Sequence, residues 1–278
     1  MKETKKVYPR WLEKLAKVFF LLRDMVRWGD VLRESKKLSK FKGCHAGQDC
    51  FVFLTGRSIN DFKLSEFSDY ITFGCNEIAR HPDFNKLKLK YYAGIEPFTS
   101  LGTNSILRWF YPKMLKLLEE RCNNPNMVCF FNYTSREFLK RKKLMVNHTK
   151  YFPIHQRVFR KLPAEVVLDR PNSLMQGVVY FMLSLAIWMG FKRIYLIGAG
   201  YTFEPYQWYH FYDPYSTPEA TERAKQHQLA KPQPLHYKIK ELSEKAGVEI
   251  INVCPEGHTS PIYQGIPIAE FKARFNLA

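Results

Sequence analysis

The group in this sequence best suited to proton transfer is a histidine within a dense run of aromatic residues. An imidazole can exchange protons near neutral pH, so the side chain of His210 suits a general base or acid. His227 and His236 are alternatives, although His236 begins a predicted helix and could simply cap or pack there. Around His210 lie aromatic faces that stack on bases and sugars, and phenol groups that can hold a phosphate without metal. These are Tyr201, Phe203, Tyr206, Trp208, Tyr209, Phe211, Tyr212 and Tyr215. The alternative interpretation of this run is an aromatic mini-core beneath a lid.

Two further groups of small or polar residues directly follow apolar runs. Gly56 permits close approach of a ligand to the backbone, and Ser58 with nearby amides could hold a phosphate at a helix N-terminus. Asn76 offers both a donor and an acceptor to a base or a ribose. The candidate binding residues from these loops and from the end of a third run are Thr55, Gly56, Arg57, Ser58, Asn76, Gly198 and Gly200. An ordinary turn also favours such residues, and neither GxGxxG nor a P-loop motif is present.

The elements that must position these residues alternate between strands and helices. Unbroken apolar runs predict strands that are buried on both faces, and spacings of three and four residues predict helices. The predicted strands are 50–54, 70–76, 90–94, 127–131, 192–198 and 248–253, and the predicted helices are a short one after Asn60, then 104–121, 174–189 and 235–246. The stretch 132–170 is expected to be irregular, with Lys140–Lys143 on a solvated face. This alternation predicts an α/β fold with a doubly wound, mostly parallel sheet, in which ligands bind beyond the carboxyl ends of the strands.

The net charge of +17 restricts the partners to nucleic acid, an anionic membrane surface or phosphorylated ligands. Residues 1–43 hold 13 Lys and Arg against 5 Asp and Glu, and they carry an apolar helical pattern from Trp11 to Val26. We predict a basic amphipathic helical extension that either lies on the inner face of the membrane or packs on protein, including a second subunit. Residues 44–278 are expected to form one domain, with 201–234 as a lid-like insertion. We predict no signal peptide and no membrane span, because charged residues interrupt the best apolar stretch.

The cysteines indicate neither a metal site nor disulfides. All six are scattered, and most lie in apolar runs, where a free thiol behaves as a small buried hydrophobe. Without a CxxC pair or finger-like histidine spacing a zinc module is not expected, and we predict a reducing, cytoplasmic location. No acidic pair follows a strand, which argues against metal-dependent sugar transfer.

In HAGQDCFVFLTGRSIND with LSEFSDYITFGCNEI, a predicted strand leads into a glycine turn and a second strand ends in an asparagine. This stretch and three others resemble the family 42 sialyltransferases and the wider bacterial group of MptE-like proteins (domain of unknown function 115), which act in polysaccharide synthesis. The others are RPNSLMQGVVYFMLSLAIWMGFKRIYLIGAGY, YHFYDPY and HYKIKELSEKAGVEIINVCPEG, in the family's order and at similar spacing. Together they cover about two thirds of the chain.

The resemblance implies a Rossmann-like variant of the GT-A glycosyltransferase fold with a CMP-sugar pocket. Gly56 and Ser58 match the turn that faces the phosphate and the sugar, and Asn76 matches the residue that holds the cytidine. His210 falls near the family's catalytic base. The resemblance also assigns Arg170 to the site, and it places the family's Ser-Gly motif at Ser173 or at Gln176-Gly177. The tyrosines that stabilise the departing phosphate in the family would be Tyr201 and either Tyr206 or Tyr209. Transfer would be inverting, with no metal or other cofactor.

Three departures from the family pattern leave the donor open. Thr55 stands where the turn has Asn, Arg57 replaces a Gly-Pro pair, and no Asp follows Gly198 as it usually does. CMP-Kdo would therefore serve as well as CMP-sialic acid, and Arg57 could pair with a donor carboxylate or an acceptor phosphate.

The leading hypothesis is a glycosyltransferase that moves an acidic sugar from a CMP-activated donor to a glycan or lipid-linked glycan, for capsule or lipopolysaccharide. The first alternative is an MptE-like pterin pyrophosphokinase that uses ATP and Mg²⁺, against which the missing Asp after Gly198 argues. The second is a basic RNA-binding protein, which the clustering of the aromatic residues in one loop disfavours.

Overall fold

The computed structural model describes residues 28–94, 105–151, 163–170, 177–199, 210–212, 234–257 and 262–278, without the side chains of 105–110 and 234. Within these ranges the chain forms one eight-stranded sheet in the order β5-β4-β3-β2-β1-β6-β7-β8, and every neighbouring pair is parallel. The strands are β1 (Asp49–Phe53), β2 (Thr72–Cys75), β3 (Tyr91–Gly94), β4 (Val128–Phe131), β5 (Thr149–Tyr151), β6 (Arg193–Ile197), β7 (Glu249–Cys254) and β8 (Gln264–Pro267). The predicted α/β fold with a mostly parallel sheet is therefore confirmed.

Helices cover both faces of the sheet. They are α1 (Trp28–Lys36), α2 (Ser105–Arg121), α3 (Arg136–Lys142), α4 (Val178–Met189), α5 (Pro234–Lys245) and α6 (Ile268–Phe275). Short 3-10 helices at Lys37–Phe41, Arg57–Asp61, Leu64–Phe67, Ile78–Arg80, Phe84–Lys86 and Tyr133–Ser135 supply much of the remaining structure.

The alternation of side chains along β1 shows why the sheet is buried on both faces. Val52 and Leu54 belong to the core beneath α4 and α5, whereas Phe51 and Phe53 belong to the core beneath α2 and α6. All four are fully buried. Residues of α4 are buried almost all round the helix, which is why its sequence is uniformly apolar rather than amphipathic.

Several element predictions needed correction. The short helix predicted after Asn60 is a pair of 3-10 helices, and the first of them begins earlier, at Arg57. The stretch predicted as irregular contains α3 and β5, although the side chains of Lys140–Lys143 are exposed as expected. Helix α4 begins at Val178, after the predicted start at 174, and β8 and α6 were not predicted at all.

The described part of the basic N-terminal segment packs on the sheet domain. Leu38 and Phe41 are buried in the core, and the Trp188 indole Nε1 donates to the Leu38 carbonyl at 2.9 Å. The helical pattern Trp11–Val26, on which the membrane prediction depends, lies outside the described residues. Among those that are described, no helix has both the length and the apolar character needed to cross a bilayer.

Candidate functional site

The strand order reverses between β1 and β6, and this reversal defines a crevice. From β1 the chain builds outward through β2 to β5 on one side, and β6 to β8 follow on the other side. In open α/β sheets, ligands bind beyond the carboxyl ends of the strands at such a switch point. Thr55 and Gly56 follow β1, and Gly198 follows β6, so three of the predicted binding residues lie at this crevice.

The floor of the crevice is a close approach between two backbone segments. The Gly56 amide donates to the Gly198 carbonyl at 2.8 Å, which continues the pairing of β1 with β6 past the ends of both strands. Gly198 has φ +77°, and a Cβ atom there would lie 2.7 Å from the Leu54 carbonyl oxygen. Only glycine, which has no Cβ atom, can adopt this left-handed backbone so close to the Leu54 carbonyl oxygen. This explains the residue type at the end of β6.

His210 is attached directly to this floor. Its Nδ1 is 3.0 Å from Oγ1 of Thr55, and its backbone forms an isolated antiparallel bridge with Gly56. The amide of the next residue, Phe211, donates to the Thr55 carbonyl at 2.9 Å. When Nδ1 carries the proton and donates to Thr55, Nε2 carries the lone pair that a general base requires. The structure thus brings the predicted base and the predicted glycine turn together.

Three stacked or ion-paired side chains support the other side of His210, and of these only Tyr212 belongs to the predicted aromatic run. The ring of Tyr212 stacks on the imidazole at a centroid distance of 4.9 Å and an angle of 9°. The Arg80 guanidinium lies 5.0 Å from the Tyr212 centroid, and its Nε is 3.1 Å from a carboxylate oxygen of the buried Glu77. The i, i+3 spacing of Glu77 and Arg80 hinted at their ion pair, but no sequence pattern links either residue to Tyr212.

Asn76 and Ser58 lie at the same edge of the sheet. Asn76 follows β2 with φ +48°, and its carbonyl accepts from the Tyr92 hydroxyl at 3.0 Å. Because Phe53 and Gly74 are in register, Thr55 and Asn76 lie at matching positions beyond neighbouring strands. Ser58 is buried, and within the described residues its hydroxyl has no hydrogen-bond partner. The side chain of Arg57, which lies in the loop after β1 next to Ser58, is exposed.

The start of α4 lies at this edge as well, because α4 runs antiparallel to the strands. Gly177 is its N-cap, with an extended backbone.

His236 lies near the start of α4. Its Nδ1 is 2.9 Å from the Tyr263 hydroxyl, and the centroid of the His236 ring lies 4.6 Å from that of the Tyr180 ring. Burial lowers the pKa of His236 to about 4. His236 is therefore a packed core residue, which agrees with the alternative prediction that it caps or packs at the start of a helix.

Arg170 is not brought together with His210. It lines a cavity with Trp188 and Lys245, at the ends of α4 and α5, and therefore at the amino edge of the sheet. Its guanidinium is 3.8 Å from Glu165, and both side chains are largely exposed. The remaining predicted residues lie outside the described ranges: Ser173, Gln176, Gly200, Tyr201, Tyr206, Tyr209 and His227.

The buried thiols fit the prediction of free cysteines. Cys50, Cys75, Cys129 and Cys254 are buried, and burial raises the pKa of the Cys75 thiol to about 12. Such thiols are unreactive at neutral pH. In the described part of the chain, no three or more His, Cys, Asp or Glu side chains lie close enough to hold a metal ion.

Comparison with known proteins gave only distant likenesses. No protein-family model matches the chain, and no curated protein matches it significantly. The solved structure of the sialyltransferase CstII from Campylobacter jejuni, in complex with the substrate analogue cytidine-5'-monophosphate, is similar with a TM-score of 0.42 and 13% identity, covering 80% of this chain and 86% of CstII.

The structure of the MAf glycosyltransferase from Magnetospirillum magneticum AMB-1 is similar with a TM-score of 0.43 and 12% identity, covering 88% of this chain. The match spans only 41% of MAf. Neither likeness is strong enough to assign a function or a family.

Proposed function

We propose that the protein is a glycosyltransferase that binds a CMP-activated acidic sugar at the crevice between β1 and β6, with His210 as the general base. The observation that carries this proposal is the attachment of His210 to the glycine turn at the switch point, through Thr55 and Gly56. A histidine so held lies beside the position where a parallel sheet binds a nucleotide.

The donor would lie across the carboxyl ends of the two strands. The close backbone approach of Gly56 and Gly198 leaves no side chain between a phosphate and the sheet. Ser58 and Asn76 supply polar groups around it, with Asn76 toward the cytidine as the sequence resemblance implies. The exposed Arg57 offers a cation for the donor carboxylate.

In the reaction, Nε2 of His210 takes the proton of an acceptor hydroxyl as its oxygen attacks the anomeric carbon. The bond from that carbon to the phosphate oxygen breaks, and CMP departs with the electron pair. Attack from the face opposite the leaving group inverts the anomeric configuration. Tyr201 and Tyr206 or Tyr209 would stabilise the departing phosphate, as the resemblance implies, without a metal ion.

The decisive experiment is incubation of the full chain with CMP-sialic acid or CMP-Kdo in the presence of EDTA. We expect CMP release, and a fall of about 100-fold or more in His210→Gln, because a general base contributes about 10²–10⁴-fold. Lys140→Gln, on the exposed end of α3, is the matched control and should behave as the unaltered chain. Absence of both CMP release and CMP binding would overturn the proposal; turnover that needs ATP and Mg²⁺ would favour the pyrophosphokinase.

The acceptor is expected to be a glycan or a lipid-linked glycan of a surface polysaccharide. Its presentation at the inner face of the membrane would match a basic N-terminal segment. Vesicles with and without anionic lipid, mixed with the full chain in a sedimentation assay, test this location.

A further inference from the structure

A second cavity begins beside the histidine and extends along the face of the sheet covered by α2 and α6. Its volume is about 1240 Å³, which exceeds the ~300–1,000 Å³ common for small-molecule sites. Phe211 and Tyr212, the two residues after His210, form part of its wall. The other lining residues include Phe62, Leu117 and the turn after β2, at Arg80–Asp83.

Positive charge predominates among the side chains of this cavity. Four cationic residues line it, with two carboxylates, and they are Lys63, Arg80, Arg121 and Lys272 against Asp61 and Asp83. Asp83 is already paired with Lys86 outside the cavity, at 2.9 Å, and Arg80 is paired with Glu77, at 3.1 Å. Lys63, Arg121 and Lys272 then face Asp61 among the lining side chains. The positive charges therefore exceed the negative charges available to neutralise them.

Two of the cations are held in place by their neighbours. Arg121 donates to the carbonyls of Ala79 and Pro82 at 2.6 and 2.8 Å, so its charge is fixed without being neutralised. The ammonium of Lys272 lies 5.6 Å over the ring of the buried Phe62, so the ring holds this cation at the cavity wall. Cations held in this way suit a sugar that carries an acidic group.

We infer that this cavity binds the acceptor, and that the acceptor carries a carboxylate or a phosphate. The inference rests on the proposed function, because the acceptor hydroxyl must reach His210 while the donor occupies the crevice between β1 and β6. His210 does not itself line the cavity, but Tyr212 stacks on His210 and lines it, so the acceptor hydroxyl would reach the base past the ring of Tyr212.

Binding of three sugars to the full chain tests the inference: galacturonic acid, galactose 6-phosphate and neutral galactose. Affinities are measured by calorimetry at low and moderate salt, since a charge-dependent contact weakens as salt rises. We expect at least one anionic sugar to bind tenfold or more tightly than galactose, and the preferred anion identifies the acidic group. In the double variant Lys63→Gln with Lys272→Gln, this preference should fall at least fivefold.

CMP binding to the same variants separates the two proposals. The double variant should bind CMP within twofold of the unaltered chain, which also shows that it folds, and Lys140→Gln should change neither affinity. Equal binding of all three sugars, or an undiminished preference in the double variant, would overturn the acceptor inference. If the anionic preference is present but CMP does not bind, the proposed function fails, whereas the anion site stands.

Discussion

The contact of 3.0 Å between His210 Nδ1 and Thr55 Oγ1 determines how the imidazole faces the crevice. Thr55 is fully buried, so its hydroxyl can hold the imidazole ring in one orientation, whichever of the two groups donates the hydrogen bond. A histidine oriented in this way keeps the same nitrogen toward the substrate in each turnover.

Thr55→Val removes the hydroxyl and keeps the shape of the side chain. Under the proposed transfer, we expect the rate constant for CMP release to fall about 10- to 100-fold, as part of the general-base contribution is lost. Thr55→Ser, which retains the hydroxyl, should stay within about threefold. The measurement is a pH–rate profile of all three proteins; a profile of the valine variant that matches the unaltered chain would contradict the positioning role.

His236 makes stability depend on pH. Burial lowers its pKa to about 4, compared with 6.5 in an unfolded chain, so the unfolded chain binds more protons between these values. Stability from this residue is therefore present above pH 6.5 and is lost as the pH falls toward 4. The loss between pH 7 and pH 5 amounts to about 2 kcal/mol.

Replacing His236 by Gln should flatten this dependence. Urea unfolding of both proteins at pH 7 and pH 5 measures it: the unaltered chain should lose about 2 kcal/mol more than the variant. Equal losses in the two proteins would show that the titration of His236 is not coupled to folding.

At the level of single residues, the sequence predicted the glycine turn and the nearby His210, whose role as a base stays a prediction, but not the side chains that support His210. Gly198 was predictable because a strand end with a left-handed backbone needs glycine, whereas Gly56 has an ordinary extended backbone, at φ −70°. The column of Glu77, Arg80 and Tyr212 depends on contacts between segments more than 100 positions apart, which local patterns do not encode. Arg170 was assigned by resemblance alone, and the structure places it at the other edge of the sheet.

Among the elements, the junction of β6 with β1 leaves no room for an added Cβ atom. Gly198 and Gly247 both have left-handed backbones, at φ +77° and +69°, but only Gly198 has neighbours within 4 Å of a Cβ position. A substitution at either residue strains the backbone, whereas one at Gly198 also pushes against the Leu54 carbonyl.

Gly198→Ala and Gly247→Ala therefore form a matched pair. We expect the second to cost about 1–2 kcal/mol of unfolding free energy and the first at least 1 kcal/mol more. Chemical denaturation of both variants gives the difference. Equal costs would mean that the β1 turn moves aside easily and does not define the crevice.

Strongly apolar elements were predictable, and short or mixed ones were not. The runs of β1 and β6 and the apolar helix α4 have lengths and compositions that leave little choice of structure. By contrast, β5 is three residues long with an exposed first residue, and β8 contains Gly and Pro. Their strand conformation comes from pairing with β4 and β7, so it depends on the rest of the sheet.

For the whole molecule, the order of the strands predicts a gradient of local stability. Strands β1 and β6 lie inside the sheet with buried faces, whereas β5 and β8 are its edges. We expect backbone amides of β1 and β6 to exchange with deuterium at least ~100-fold more slowly than those of β5 and β8. Exchange followed by mass spectrometry tests this; equally slow exchange in β5 would indicate that something covers that edge.

The pairing of β1 with β6 also governs when the site can form during synthesis. Asp49 and Arg193 are in register although about 140 positions separate them, so at ~5–20 residues per second the ribosome delivers β6 some ~7–30 s after β1. During this interval the apolar edge of β1 has no strand beside it, and such an edge is prone to pair with other chains. We therefore expect the nascent protein to be most prone to aggregation in the interval before its crevice exists.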